Sequence, residues 1–136
     1  MRAVSFLACL AASAAHAATV QVTVRNVRDA RGAVLVAICT RADFLQPRCP
    51  YRGRAPARAG SVVVTIAGVP PGRYAAQAFH DENGNGRLDR NFLGLPQEGM
   101  GFSNDAKMRM GPPRFADAGF DVRGEQISIG FDLIYR

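Results

Sequence analysis

The sequence predicts an all-β protein: a single antiparallel β-sandwich of six or seven strands, immunoglobulin-like in layout, with one long loop. Three observations carry that expectation. Apolar residues recur at every second position in several short runs, the period of a strand with one wet face. Clusters of Gly, Pro and Asn interrupt the runs at short intervals. No run after residue 17 has the spacing of an amphipathic helix. Such strands bury their apolar faces only against each other, and 136 residues leave room for one domain.

The first 17 residues stand apart. Arg2 is a short basic start, Val4 to Ala12 is an apolar run too short to span a bilayer, and Ala15-His16-Ala17 is a small-x-small cleavage pattern. The expectation is a signal peptide over residues 1–17, a β-sandwich domain over residues 18–136, and a periplasmic or secreted bacterial protein with no membrane span. Phe6, three residues before Cys9, makes a lipid anchor there a poor fit. Loss of the signal removes Cys9 and leaves Cys39 and Cys49, an even count that in an exported chain predicts a structural disulfide. A redox pair has the closer Cys-x-x-Cys spacing.

Within the domain, Thr19 to Val27 places Val20, Val22, Val24 and Val27 on one side and Gln21, Thr23 and Arg25 on the other. A turn at Arg28–Gly32 leads to Ala33–Thr40, an almost unbroken apolar run suited to a central strand buried on both faces. These two runs read as a hairpin. Residues 41–60 read as an irregular excursion stapled by the disulfide. Ser61–Ala67 is rich in β-branched residues, Gly68–Gly72 is a turn, and Arg73–His80 is the next strand. Arg90–Pro113 has no periodicity and too many Gly and Pro for regular structure. Phe115–Val122 and Gln126–Tyr135 return to strand chemistry.

The chemistry concentrates in His80-Asp81-Glu82-Asn83-Gly84-Asn85-Gly86-Arg87-Leu88-Asp89. Asp81, Asn83 and Asn85 stand at positions one, three and five of a calcium-loop pattern, Gly86 at six, the Arg87 carbonyl at seven and Asp89 at nine. Alternation of this kind turns every second oxygen toward one hard cation. Phe92 occupies position twelve and the flanks are strands, so this is not an EF-hand; Glu98 or Asp105 is left to complete the shell. With two charged ligands in the loop, the expected calcium affinity is weak, on the order of 10⁻⁴–10⁻³ M. The same residues also suit a hydrogen-bonded Asx turn with no ion.

The net charge is +6, and +5 once Arg2 is gone, with the excess in Arg41, Arg48, Arg52, Arg54 and Arg58. No aromatic platform accompanies these arginines, so nucleic acid is not the expected partner; they read as a solvated segment that favours anionic surfaces. With the expected signal removed, His80 is the only histidine left, too few for a multi-histidine zinc site. Asp81 and Glu82 are neighbours on extended chain and point apart, and Ser103 lacks a Gly-x-Ser-x-Gly elbow.

Pro70-Pro71-Gly72-Arg73-Tyr74-Ala75, the run Phe79–Asp89, Gly94–Gly99, Gly101-Phe102-Ser103-Asn104 and Gly111–Phe115 together resemble a bacterial exported family, domain of unknown function 2141. The Pro-Pro-Gly-Arg-Tyr lead-in also resembles prealbumin-like and collagen-adhesin repeat modules. The resemblance implies an envelope or secreted sandwich and adds no reaction. The expected function is therefore a non-enzymatic module, its loop ordered by calcium, that binds a glycan, peptide or protein of the envelope or the extracellular space. Phe92, Leu93, Leu95, Met100 and Phe102 are expected to pin the loop to the sandwich. The alternatives are a small hydrolase or lyase acting on an envelope polymer through Asp81, Glu98 and His80, and an ion-free scaffold.

Overall fold

The computed structural model describes residue 4, residues 16–86 and residues 98–135. These residues form β1 (Ala18–Val27), β2 (Ala33–Cys39), β3 (Tyr51–Pro56), β4 (Gly60–Val69), β5 (Gly72–Asp81), β6 (Met100–Phe102), a 3-10 turn at Ser103–Asp105, α1 (Phe115–Ala118), β7 (Gly119–Val122) and β8 (Gln126–Asp132). One sheet has the order β4-β1-β8 and the other β3-β2-β5-β6, with β7 also paired to β5. The two sheets face each other, as the alternating pattern requires, and the protein is a β-sandwich.

The main core lies between the sheets. Val20, Val22 and Val24 of β1 and Val62, Val64 and Ile66 of β4 meet Val34, Val36 and Ile38 of β2, with Phe131 and Leu133 from the C-terminal end. Each such side chain contributes about 1.5–3 kcal/mol when fully buried. A second cluster, Cys39, Phe44, Cys49, Ala75, Met100, Phe102, Phe115 and Ala118, gathers residues from β2, β5, β6, α1 and the segment after β2. Ala37 of β2 and Phe79 of β5 pack against it. Alternate residues of β2 thus serve two cores, which accounts for its nearly continuous apolar run. The disulfide Cys39–Cys49 forms as expected and ties the segment after β2 to that strand.

Several expectations are corrected. The first two runs are not a hairpin: β1 pairs with β4 and β8, while β2 pairs with β3 and β5 in the opposite sheet. Residues 28–32 therefore cross between layers. The sandwich is not wholly antiparallel, because β1 and β8 run parallel from Thr19↔Gln126 to Arg25↔Asp132. Residues 41–60 are not irregular throughout, since β3 lies within them. Its alternation is half-buried Tyr51, Gly53 and Ala55 against exposed Arg52, Arg54 and Pro56. Arginines on the outer face and a terminal proline are marks of an edge strand. At Gly53 a Cβ would come within 2.8 Å of Ile66 and 2.9 Å of Val64, so the side chain is absent where the sheets approach.

Likewise, Phe115–Val122 is not one strand. Its first half is the single turn α1, which buries Phe115 and Ala118 three residues apart on one face; only Gly119–Val122 is extended. The segment 90–113, expected to lack regular structure, contains β6 and the 3-10 turn. Met100 and Phe102, expected to pin that segment, are buried as β-strand residues, and the Met100 amide and carbonyl exchange hydrogen bonds with Ile134. Phe92, Leu93 and Leu95 lie outside the described residues, as does most of the expected signal segment.

Candidate functional site

β5 carries the chemistry-bearing residues to one end of the sandwich. His80 pairs in register with Val34 and Asp81 with Ala33, which sets them beside the β1–β2 connection. Gly32 there has φ +68°, and an added Cβ would lie 1.8 Å from the Asp81 carbonyl oxygen. Only glycine lets the two backbones approach this closely.

His80 is fully buried. Its Nε2 lies 2.6 Å from the Arg31 carbonyl oxygen, which can only accept, so Nε2 carries the proton in the assigned tautomer. Nδ1 is then the acceptor for the Tyr135 hydroxyl at 2.9 Å, and that hydroxyl oxygen accepts the Arg28 backbone N–H at 3.0 Å. The histidine is consumed by structure, linking β5, the β1–β2 connection and the C-terminal tail.

Glu82 projects into the same connection. Arg28 grips its carboxylate in two-pronged fashion at 2.6 and 2.8 Å, and Arg31 donates to Oε2 at 2.8 Å. Asp29 in turn accepts from the Arg31 backbone at 2.9 Å and from its guanidinium at 3.0 and 3.1 Å. The hydrogen bond from Arg28 holds the Glu82 carboxyl below its ordinary range, and the Arg31 backbone amide does the same for Asp29. Arg28 also sits 4.7 Å from the centroid of the Tyr135 ring.

Asp29, His80 and Glu82 form a group whose potential ligand atoms lie within 4.8 Å of one another. It is not the set the calcium-loop pattern picks out. Both carboxylates already face guanidinium groups, and both His80 nitrogens have partners, so a cation entering here would have to displace Arg28 and Arg31. The group acts as an ion-pair lock.

The calcium-loop residues lie next door. The Asp81 carboxylate, nearly inaccessible, accepts the backbone N–H of Asn85 at 3.2 Å and of Gly86 at 2.7 Å. The Asn83 side-chain oxygen also accepts the Asn85 N–H at 3.2 Å. Asp81, Asn83 and Asn85 are thus drawn into one tight turn, with Gly84 and Gly86 at positive φ. Arg87 and Asp89, the other two predicted ligands, lie outside the described residues. Of the two residues expected to complete a site, the structure brings Glu98 alongside: it is buried, and its Oε2 accepts the Glu82 N–H at 2.7 Å. Asp105 is committed elsewhere, to the Asp132 amide at 2.8 Å and to Arg25 at 3.6 Å.

Ser103 is buried too; its hydroxyl accepts the Ala76 N–H at 2.9 Å and donates to the Ala118 carbonyl. It fastens β5 to α1.

Sequence reasoning missed Arg28, Asp29, Arg31 and Tyr135, since a turn rich in charge reads as solvated. The one available signal was the alternation of sign in Arg28-Asp29-Ala30-Arg31.

These features define a two-sheet sandwich whose β5 end is closed by a histidine–tyrosine relay, an ion-pair lock and an Asx turn. Residues 22–130 match the family described as uncharacterized protein conserved in bacteria (DUF2141), and the chain belongs to that family. The family description carries no activity. No curated protein and no solved structure matches the chain. Among the described residues, no helix is long and apolar enough to cross a membrane.

Proposed function

We propose that the protein is an exported, non-enzymatic binding module of the periplasm or extracellular space, whose Asp81–Asp89 loop takes up calcium weakly. The observation that carries the calcium reading is the Asp81 carboxylate at the loop's root, with the Asn85 and Gly86 amides closed onto it. Two N–H donors leave capacity on a carboxylate with about four lone-pair sites. The turn they impose brings the side-chain oxygens of Asp81 and Asn83 together on the Asn85 amide. The disulfide supports an oxidising compartment. Engagement of His80 and Ser103 in structural hydrogen bonds supports a binding role over hydrolysis or elimination.

Thermal unfolding in chelator and then in millimolar calcium tests the ion. At calcium about ten times the dissociation constant, a rise of roughly 3–6 °C is expected for the native protein. Asp81→Asn keeps an acceptor for the turn amides but removes the charge, and its melting temperature should not respond. An unchanged melting temperature in the native protein makes the loop an ion-free turn.

A further inference from the structure

On a different surface, Lys107, Arg109, Pro112, Pro113, Arg114 and Asp117 line a hollow of about 480 Å³, which shares no residue with the calcium loop. That volume falls within the size of ordinary small-ligand sites. Its walls carry three cations and one carboxylate. Arg114 is tied to Asp117 by two contacts at 3.1 Å, so its charge is already compensated. Lys107 and Arg109 are exposed and, among the described residues, make no ion pair.

The floor is preformed. Pro112 and Pro113 restrict the backbone, and Pro113 is buried. Two residues further on, Phe115 packs edge-on against Phe44 at 5.9 Å in the cluster that holds the disulfide. Arg41 lies over the Phe115 ring at 4.7 Å and adds positive charge beside this segment. A preformed surface loses little entropy on binding.

We infer that this hollow binds an acidic saccharide, its carboxylate or phosphate held by Lys107 and Arg109 and a sugar hydroxyl by Asp117. Lys107 and Arg109 make no ion pair among the described residues, and Asp117, whose carboxyl Arg109 helps to hold low, is bonded to Arg114. The wall therefore keeps an excess of positive charge that calls for an anionic group. The side chain and backbone amide of Arg114 take up part, not all, of the roughly four acceptor positions of the Asp117 carboxylate, which leaves room for a hydroxyl donor. Inorganic phosphate can offer Asp117 no more than its own P–OH, whereas a sugar phosphate brings several hydroxyls that reach past the charged group. A nucleic-acid strand finds no aromatic side chain among the lining residues on which to stack a base. The inference rests on the binding role proposed above and names its ligand class, while drawing on residues unrelated to calcium.

The test is titration of the ¹⁵N-labelled native protein, read by amide chemical shifts, with trigalacturonate, glucose 6-phosphate, inorganic phosphate and neutral maltotriose as probes. Shifts at residues 107–117 with an acidic saccharide, and none with maltotriose, are expected. Lys107→Gln with Arg109→Gln should weaken that binding at least tenfold with the melting temperature unchanged. Three results overturn the site: no shift at 107–117 with either acidic sugar, phosphate binding as tightly as glucose 6-phosphate, or an undiminished affinity in the double variant. Shifts confined to other residues would overturn this site yet keep a binding role. The calcium melting experiment is decided separately.

Discussion

The Tyr135 hydroxyl stands 2.9 Å from Nδ1 of His80 and joins the C-terminal tail to the far end of β5. Fifty-five positions separate the two residues, and one proton links them. Tyr135→Phe keeps the ring over which Arg28 lies but leaves a buried imidazole nitrogen and the Arg28 amide without their partner. A loss of about 1–3 kcal/mol is expected, read from urea unfolding. A variant as stable as the native protein would mean that the relay holds nothing.

Acid should loosen the same end. Arg28 holds the Glu82 carboxyl below its ordinary 4.5. A carboxylate depressed in the folded state contributes stability that is complete above its unfolded value and is lost as pH falls through the folded one. Below about pH 4.5 the unfolded chain takes up the proton first, so unfolding free energy should fall there. Asp29, depressed by its bonds from Arg31, acts in the same direction. Glu82→Gln, which has no such charge to lose, should show a flatter dependence in that window. Parallel curves for the two proteins would contradict the lock.

Gly32 offers a sharper test of the crossing between layers. An alanine there needs a left-handed backbone and places its Cβ 1.8 Å from the Asp81 carbonyl oxygen. The conformation alone costs about 1–2 kcal/mol, and the overlap forces strands β2 and β5 apart, at roughly 1–3 kcal/mol more. Gly84→Ala, at φ +70° with nothing within 4 Å, should pay the backbone cost alone. The difference between the two variants in denaturant midpoint measures the close approach.

The disulfide closes a short loop, with the cysteines 10 positions apart. Replacing both Cys39 and Cys49 by Ala should lower stability by about 2–3 kcal/mol on the chain-entropy estimate. Because Phe44 packs with Phe102 and Phe115 in the same cluster, the loss should extend to the hollow's floor. Amide exchange over residues 103–118 would register it; protection unchanged there would show the floor standing without the bond.

Local pattern made much of this legible. The valines of β1 alternate so strictly that a strand with one buried face follows, the β-branched run of β4 reads as another, and Asp81-x-Asn83-x-Asn85-Gly86 marks a tight turn whatever it binds. What stayed hidden is what depends on distant residues. Nothing in Arg28–Gly32 distinguishes a hairpin turn from a passage between sheets; that is decided by β4 and β8, which claim both edges of β1. Tyr51–Pro56 looked irregular because an edge strand with arginines outside lacks a second apolar row. Phe115–Ala118 looked extended because a single helical turn is too short to show a period. Glu82 read as half of an acid pair, and its true partners are Arg28 and Arg31, 54 and 51 residues earlier.

The parallel pairing of β1 with β8 also has a bearing on how the molecule comes into being. A polypeptide is made from its N-terminus forward, so β1 waits until Gln126–Asp132 has been made before one of its edges is covered. Until residues 126–132 exist, β1 shows an unpaired row of amides and carbonyls along a valine-rich ribbon. Pairing of such sequence-distant segments is slow to form. The newborn chain therefore passes through an interval in which that open edge invites association with other chains. A holding chaperone would matter most then, and loss of residues 126–132 would leave that edge open indefinitely.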